Sequence, residues 1–189
     1  MIRIGILGDI GSGKSYVAKN FGYPVFNADY EVSKLYASNK KIFVKLNKKL
    51  PKYIYSFPTN KNQLTKAILG NRTNLKKITT IVHKEIKKKM KLFLKKNKNK
   101  KIVILDIPLL LENKINHKND ILVFVDSKKK DIYKRLKKRN SYNNKLLNKF
   151  KKIQLPLEYK RKKSQFIIKN DFTKKTIIKK IKYILNHIH

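Results

Sequence analysis

Short apolar runs alternate with longer amphipathic stretches along this chain. Residues 2–7 (Ile-Arg-Ile-Gly-Ile-Leu) form the first run and predict a strand. A glycine-rich turn follows, then helical spacing from about Lys14 to Phe21. Pro24–Asn27 predicts a second, short strand. Ile102–Leu105 ends in Asp106 and Ile121–Val125 ends in Asp126, and both are uniformly apolar, as buried parallel strands are. Phe166–Ile168 predicts a last strand at the sheet edge. The intervening segments at roughly 29–50, 62–70, 74–97, 128–150 and 173–187 repeat apolar residues at helical spacing. Strands alternating with helices predict an α/β fold with a mostly parallel five-stranded sheet covered by helices on both faces. Ligands of such sheets bind at the carboxyl ends of the strands.

Composition narrows this picture. The 189 residues suit a single α/β body with small inserted lobes. There is no cysteine, so disulfides, thiolate metal sites and thiol chemistry are excluded. His83, His117, His187 and His189 lack the spacing of a zinc site. No apolar run reaches the length of a membrane span, and Ile4–Leu7 is too short for a signal peptide, so a soluble, cytoplasmic protein with no membrane partner is expected.

Forty-nine basic and 11 acidic residues give a net charge of +38. A basic surface of that size raises the question of nucleic acid. Only Arg3, Arg72, Arg135, Arg139 and Arg161 are arginines, however, and the lysines are spread over the whole chain. Nucleic-acid recognition favours arginine for bidentate contacts, so the excess lysine, with abundant Asn and Ile, fits AT-rich codon drift and no specific nucleic-acid partner. The field still attracts anionic substrates. Oligomeric state has no signature here, and a monomer is the simplest expectation.

The strongest local signal is Gly8-Asp9-Ile10-Gly11-Ser12-Gly13-Lys14-Ser15, a complete G-x-x-x-x-G-K-[ST] loop between a strand and a helix. Its backbone N–H groups can cradle phosphates at a helix N-terminus. Lys14 would reach the β- and γ-phosphates of a nucleotide, and the Ser15 hydroxyl would coordinate Mg²⁺. The loop alone does not separate kinase from ATPase or GTPase.

Other residues add to it. Asp29 follows the second strand, where a carboxylate either accepts the proton of an acceptor hydroxyl or caps the next helix. Asp106 ends the third strand, as a Mg²⁺-holding carboxylate does directly or through water; the alternative is a turn or helix cap. Arg135 and Arg139 are four apart on one predicted helix, where they can clamp a phosphoryl group or line a solvated face. His83 in its helical segment reads, by itself, as an ordinary half-buried histidine.

Taken in order, these residues resemble the dephospho-coenzyme A kinase family. The resemblance rests on Gly11-Ser12-Gly13-Lys14-Ser15, Ala28-Asp29, His83, Asp106-Ile107-Pro108-Leu109-Leu110-Leu111-Glu112, Arg135-Leu136 with Arg139, Gln154, Lys160, and Ile168 with Asn170. It implies ATP-dependent phosphorylation of the ribose 3′-hydroxyl of dephospho-coenzyme A, with Mg²⁺, ATP and that acceptor as the small-molecule partners. It also implies a P-loop nucleoside-triphosphate fold in three parts: a core at 1–44, 98–127 and 156–189, a helical acceptor lobe at about 45–97, and a lid at about 128–155. Asp29, Lys14 and Arg139 become the catalytic set. Gly8, Gly11, Ser12, Gly13, Lys14, Ser15, Tyr16, Arg139 and Asn170 fall on the ATP side, and Ser15 and Asp106 near the metal. Asp29, Lys61, His83, Asp106, Pro108, Leu109, Leu110 and Glu112 fall on the acceptor side.

The chain departs from the family pattern at Asp9, Tyr16, Asn27, Lys61, Lys84 and Ser164-Gln165. Asp9 places a negative charge beside the phosphates unless it turns outward. Lys61 keeps charge but loses the guanidinium fork. Two rival readings share the loop: another nucleotide or nucleoside kinase, and a nucleic-acid-binding P-loop NTPase.

Overall fold

The computed structural model describes residues 1–139 and 142–188. Its contacts group the chain into two compact units, one of residues 1–27, 97–143 and 149–189, the other of residues 28–96 and 144–148.

The first unit holds a five-stranded sheet. Its strands are β1 (Ile2–Gly8), β2 (Val25–Asn27), β3 (Ile102–Asp106), β4 (Ile121–Asp126) and β5 (Phe166–Lys169). They lie in the order β2-β3-β1-β4-β5, and every neighbouring pair is parallel. All five residues of β3 are buried, which explains its unbroken apolar run ahead of Asp106. The connection after β1 runs to β2 on one side and that after β4 runs to β5 on the other, so the crevice at the carboxyl ends of the adjacent β1 and β4 is the topological switch point. Gly8, Asn27, Asp106 and Asp126 all end strands on that side.

One face of the sheet is covered by α1 (Lys14–Asn20) and α9 (Lys174–Asn186). Val17, Ala18, Ile177, Ile181 and Ile184 pack there on Ile4, Ile6, Ile104, Val123, Val125 and Ile168, all within 3% exposure. Burying each of the isoleucine and valine side chains among them is worth about 1.5–3 kcal/mol relative to leaving it in water. On the other face a side chain at Gly5 would have its Cβ 2.6 Å from Leu110 Cδ2, so the loop after β3 packs directly on β1. At the opposite end of the sheet Arg3 Nη2 donates to Asp120 Oδ2 at 3.0 Å and Nε lies 2.9 Å from Oδ1, fixing β1 against the start of β4.

The second unit is helical. It contains α2 (Ala28–Ser38), α3 (Lys40–Lys49), α4 (Lys61–Gly70), α5 (Asn74–Lys96) and the first residues of α7 (Asn144–Lys152), whose last four belong to the first unit. Ala28, Leu35, Ile42, Leu46, Leu50, Ile54, Leu64, Ala67, Ile68, Ile78, Val82 and Ile86 are its buried apolar residues. Lys89 on α5 pairs with Glu31 on α2 at 2.8 Å. Among the described residues no helix is long and apolar enough to cross a membrane.

Two predicted helices are each divided. The 29–50 segment breaks at Asn39, whose Oδ1 accepts the Ile42 amide at 3.0 Å and so caps a new helix. The 128–150 segment becomes α6 (Lys129–Lys137) and α7, separated by a polar stretch rich in Asn; Asn140 and Ser141 within it lie outside the described residues. A further helix, α8 (Leu157–Lys162), is too short for periodicity to reveal and starts after Pro156. The sheet itself matches the expected α/β, P-loop architecture, strand for strand.

Candidate active site

The phosphate cradle joins β1 to α1. Gly8 has φ 143° and Gly13 has φ 92°, backbone settings that side-chain-bearing residues rarely adopt. Space forbids a side chain as well: a Cβ on Gly8 would lie 2.6 Å from the Val125 carbonyl, and one on Gly13 would lie 2.5 Å from Asn170 Nδ2. The loop is braced from the neighbouring strands. The Ser12 carbonyl accepts from Asn170 Nδ2 at 2.8 Å and from Ser127 Oγ at 2.9 Å, just beyond the ends of β5 and β4. Asn170 is only 4% exposed, and its Oδ1 accepts the Phe172 amide at 2.8 Å. Asn170 thus shapes the cradle from beneath.

Lys14 curls over the loop, its ammonium donating to the carbonyls of Asp9 at 2.7 Å and Gly8 at 3.2 Å. Ser15 and Tyr16 are exposed in the first turn of α1, where N–H groups favour anions. Asp9 does not turn away. Its Oδ1 accepts the Ile10 amide at 2.6 Å, so the carboxylate engages a loop N–H of the kind that cradles phosphate. Asp9→Gly is therefore expected to lower the KM for ATP about two- to fivefold, the worth of one charge at a helix-end anion site. Initial-rate kinetics at varied ATP read this; an unchanged or raised KM would place Asp9 outside the competition.

Asp106 ends β3 at 3% exposure, and its Oδ2 accepts from Asn27 Nδ2 at 2.6 Å. That bond ties the ends of β2 and β3 together. Asp29 is exposed and stands second in α2, just after Asn27. It stands inside the first turn, where a carboxylate also favours the helix dipole.

The loop after β3 carries Pro108, Leu109, Leu110 and Glu112. Leu109 has φ 59°, a left-handed setting, and its carbonyl accepts the Asn113 amide and side chain at 3.1 and 3.0 Å. Glu112 Oε1 accepts from Lys160 Nζ at 2.6 Å and from the Leu155 amide at 3.0 Å. Gly8, Lys14, Pro108, Leu109, Gln154 and Lys160 surround one narrow cleft.

Arg135 and Arg139 do not share a helix face. α6 ends at Lys137, and the Arg139 amide bonds to the Leu136 carbonyl in the turn that follows, because the polar stretch beyond cannot extend the helix. Both arginines are exposed; the Arg135 guanidinium stacks 4.2 Å from the centre of the Phe172 ring, while Arg139 is left at the turn.

Lys61 opens α4 behind the Asn60 cap and is exposed, and His83 lies half-buried on α5; both belong to the helical unit. Burial, and secondarily the nearby Lys87, hold His83 below the usual histidine pKa. The unfolded chain therefore takes up a proton on this histidine at a higher pH than the folded chain. Stability is fully present above about pH 6.5 and falls as pH drops from there through the lower folded value. His83→Gln is expected to flatten that part of the profile, measured as urea midpoints between neutral and mildly acid pH. Parallel profiles would remove the effect.

Local sequence reasoning gave no site role to Ser127, Phe172 or Lys160. Ser127 and Phe172 have no motif of their own, and Lys160 stands out only within the family resemblance, not by any local pattern.

The family model of dephospho-CoA kinase matches residues 2–176. The chain belongs to the dephospho-CoA kinase family. It is 33% identical to the dephospho-CoA kinase of the Brugia malayi Wolbachia (strain TRS) over 190 residues, 98% of this chain and 97% of that protein. With the dephospho-CoA kinase of Wolbachia pipientis wMel it shares 34% over 98% of this chain and 97% of the relative. Among solved structures, TT1252 from Thermus thermophilus superposes with a TM-score of 0.77 at 24% identity, covering 100% of this chain and 98% of the other. The dephospho-CoA kinase of Campylobacter jejuni superposes with a TM-score of 0.64 at 19% identity, covering 98% and 96%. These two share the fold. Family membership makes the phosphate cradle that of a kinase, and leaves the roles of individual side chains to chemistry.

Proposed function

We infer that this chain transfers the γ-phosphoryl group of ATP to the ribose 3′-hydroxyl of dephospho-coenzyme A, giving coenzyme A and ADP, the last step of coenzyme A synthesis. The observation that carries the reading is the Gly8–Ser15 cradle at the switch point with Asp106 at the end of the adjacent strand, in a chain of this family.

Asp29 takes the proton of the acceptor hydroxyl as its oxygen bonds to the γ-phosphorus. The bond from that phosphorus to the β–γ bridging oxygen breaks, and ADP leaves. Lys14 and the loop N–H groups hold the β- and γ-phosphates, Arg139 clamps the transferring group, and Asn170 keeps the loop in shape beside Tyr16. The Ser15 hydroxyl and the Asp106 carboxylate are hard oxygen donors of the type Mg²⁺ takes, directly or through water; when bound, Mg²⁺ neutralises phosphate charge. Lys61, His83 and the Pro108–Glu112 segment form the acceptor side. Residues 45–97 serve as the acceptor lobe and 128–155 as the lid, which excludes water from the reaction. The protein works in the cytoplasm as a monomer on small molecules, and its +38 charge gives only non-specific polyanion binding.

The test is ADP release from Mg-ATP with dephospho-coenzyme A, beside AMP, other nucleoside monophosphates and single-stranded RNA. Release that requires dephospho-coenzyme A is expected, and RNA binding should collapse as salt rises. Release driven by another acceptor, or only by RNA, overturns the assignment.

A further inference from the structure

Lysines crowd the surface of this protein, yet Lys160 is only 3% exposed. It lies in α8 with its Nζ 2.6 Å from Glu112 Oε1, and the Glu112 side chain is itself 9% exposed. The same carboxylate oxygen receives the Leu155 amide at 3.0 Å, so Glu112 fixes both α8 and the segment leading into it. Taking an ammonium and a carboxylate out of water is costly, and two apolar side chains of similar size would pack this wall at least as well. The position of the charge is therefore what distinguishes the pair.

That position is the phosphate cradle. Lys160 lines the same cleft as Gly8 and Lys14, together with Pro108, Leu109 and Gln154. The cleft has a volume of about 10 Å³, room for roughly one oxygen atom. An ammonium carries three donors, of which Glu112 takes one.

We propose that Lys160 is a second phosphate-binding ammonium of this site: held by Glu112, it contacts one non-bridging phosphate oxygen in the cleft it shares with Lys14. The oxygen belongs either to the γ-phosphate of ATP or to the diphosphate of the acceptor, which offer the same chemistry. No bond to Lys160 forms or breaks; it stabilises negative charge on the phosphate as transfer proceeds. The part of this inference that concerns transfer rests on the function proposed above, and the binding part does not.

The deciding variant is the double substitution Glu112→Leu with Lys160→Met, which removes the pair without stranding a charge. It is expected to unfold in urea near the wild-type midpoint while its kcat falls about 10²-fold. Binding of inorganic tripolyphosphate, read by calorimetry without acceptor, should weaken about ten- to a hundredfold if the oxygen is that of ATP. If tripolyphosphate binding holds and the KM for dephospho-coenzyme A rises instead, the oxygen is that of the acceptor. A double variant that folds, binds tripolyphosphate and transfers phosphate as the wild type does overturns the proposal. Should it fail to fold, the neutral pair Glu112→Gln with Lys160→Gln is read by the same measurements. If the wild-type protein transfers nothing to dephospho-coenzyme A, the acceptor assignment fails, and unchanged tripolyphosphate binding in the variants then overturns the role of Lys160 separately.

Discussion

Asp29→Asn is expected to lower kcat about 10²–10⁴-fold, the range for loss of a positioned general base. The side chain keeps its size and its hydrogen-bonding shape but can no longer take a proton. Asp29 is exposed in the first turn of α2, where a carboxylate's interaction with the helix dipole is worth about 0.3–1 kcal/mol. For a chain of this size that amounts to a shift in Tm of about 1–4 °C. The KM for ATP should stay near wild type, because the phosphate contacts proposed above come from Gly8–Ser15. A steep fall in kcat with an intact melting curve and an intact ATP KM separates chemistry from folding. A kcat close to the wild-type value would remove Asp29 from the proton transfer.

The sheet was legible in the sequence because parallel strands buried on both faces must be apolar throughout, and Ile102–Leu105 and Ile121–Val125 are. The cradle was legible because a phosphate loop needs glycine at fixed offsets, and here Gly8 and Gly13 have positive φ and no room for a Cβ. Helix breaks were not, since Asn39 interrupts an otherwise continuous apolar pattern by a single side-chain hydrogen bond. The pairing of Arg135 with Arg139 failed for the same reason: helical spacing has meaning only as far as the helix extends, and α6 stops at Lys137. The setting of Lys160 was hidden for a different reason. Its burial follows from a carboxylate 48 residues earlier in the chain, Glu112, and no local pattern encodes that contact. The bracing of Ser12 by Asn170 and Ser127 is equally non-local, across 158 and 115 residues.

Gly13→Ala tests that bracing. At φ 92° an alanine is strained by about 1–3 kcal/mol. Its Cβ would meet Asn170 Nδ2 at 2.5 Å and the Phe172 ring at 3.3 Å. Asn170 can yield only by giving up its bond to the Ser12 carbonyl, a further cost of about 1 kcal/mol. A loss of about 2–4 kcal/mol is expected, which lowers Tm by roughly 4–16 °C for a chain of this length. ATP binding should suffer more than stability suggests, because the displaced Ser12 carbonyl belongs to the loop proposed above to hold the phosphates. The double variant Gly13→Ala with Asn170→Ala removes the obstruction along with the brace. Its stability loss should therefore be smaller than the sum of the two single losses, with a coupling of about 0.5–3 kcal/mol. Strictly additive losses would mean that the two residues do not press on one another, and that the left-handed backbone alone is why this position must be glycine.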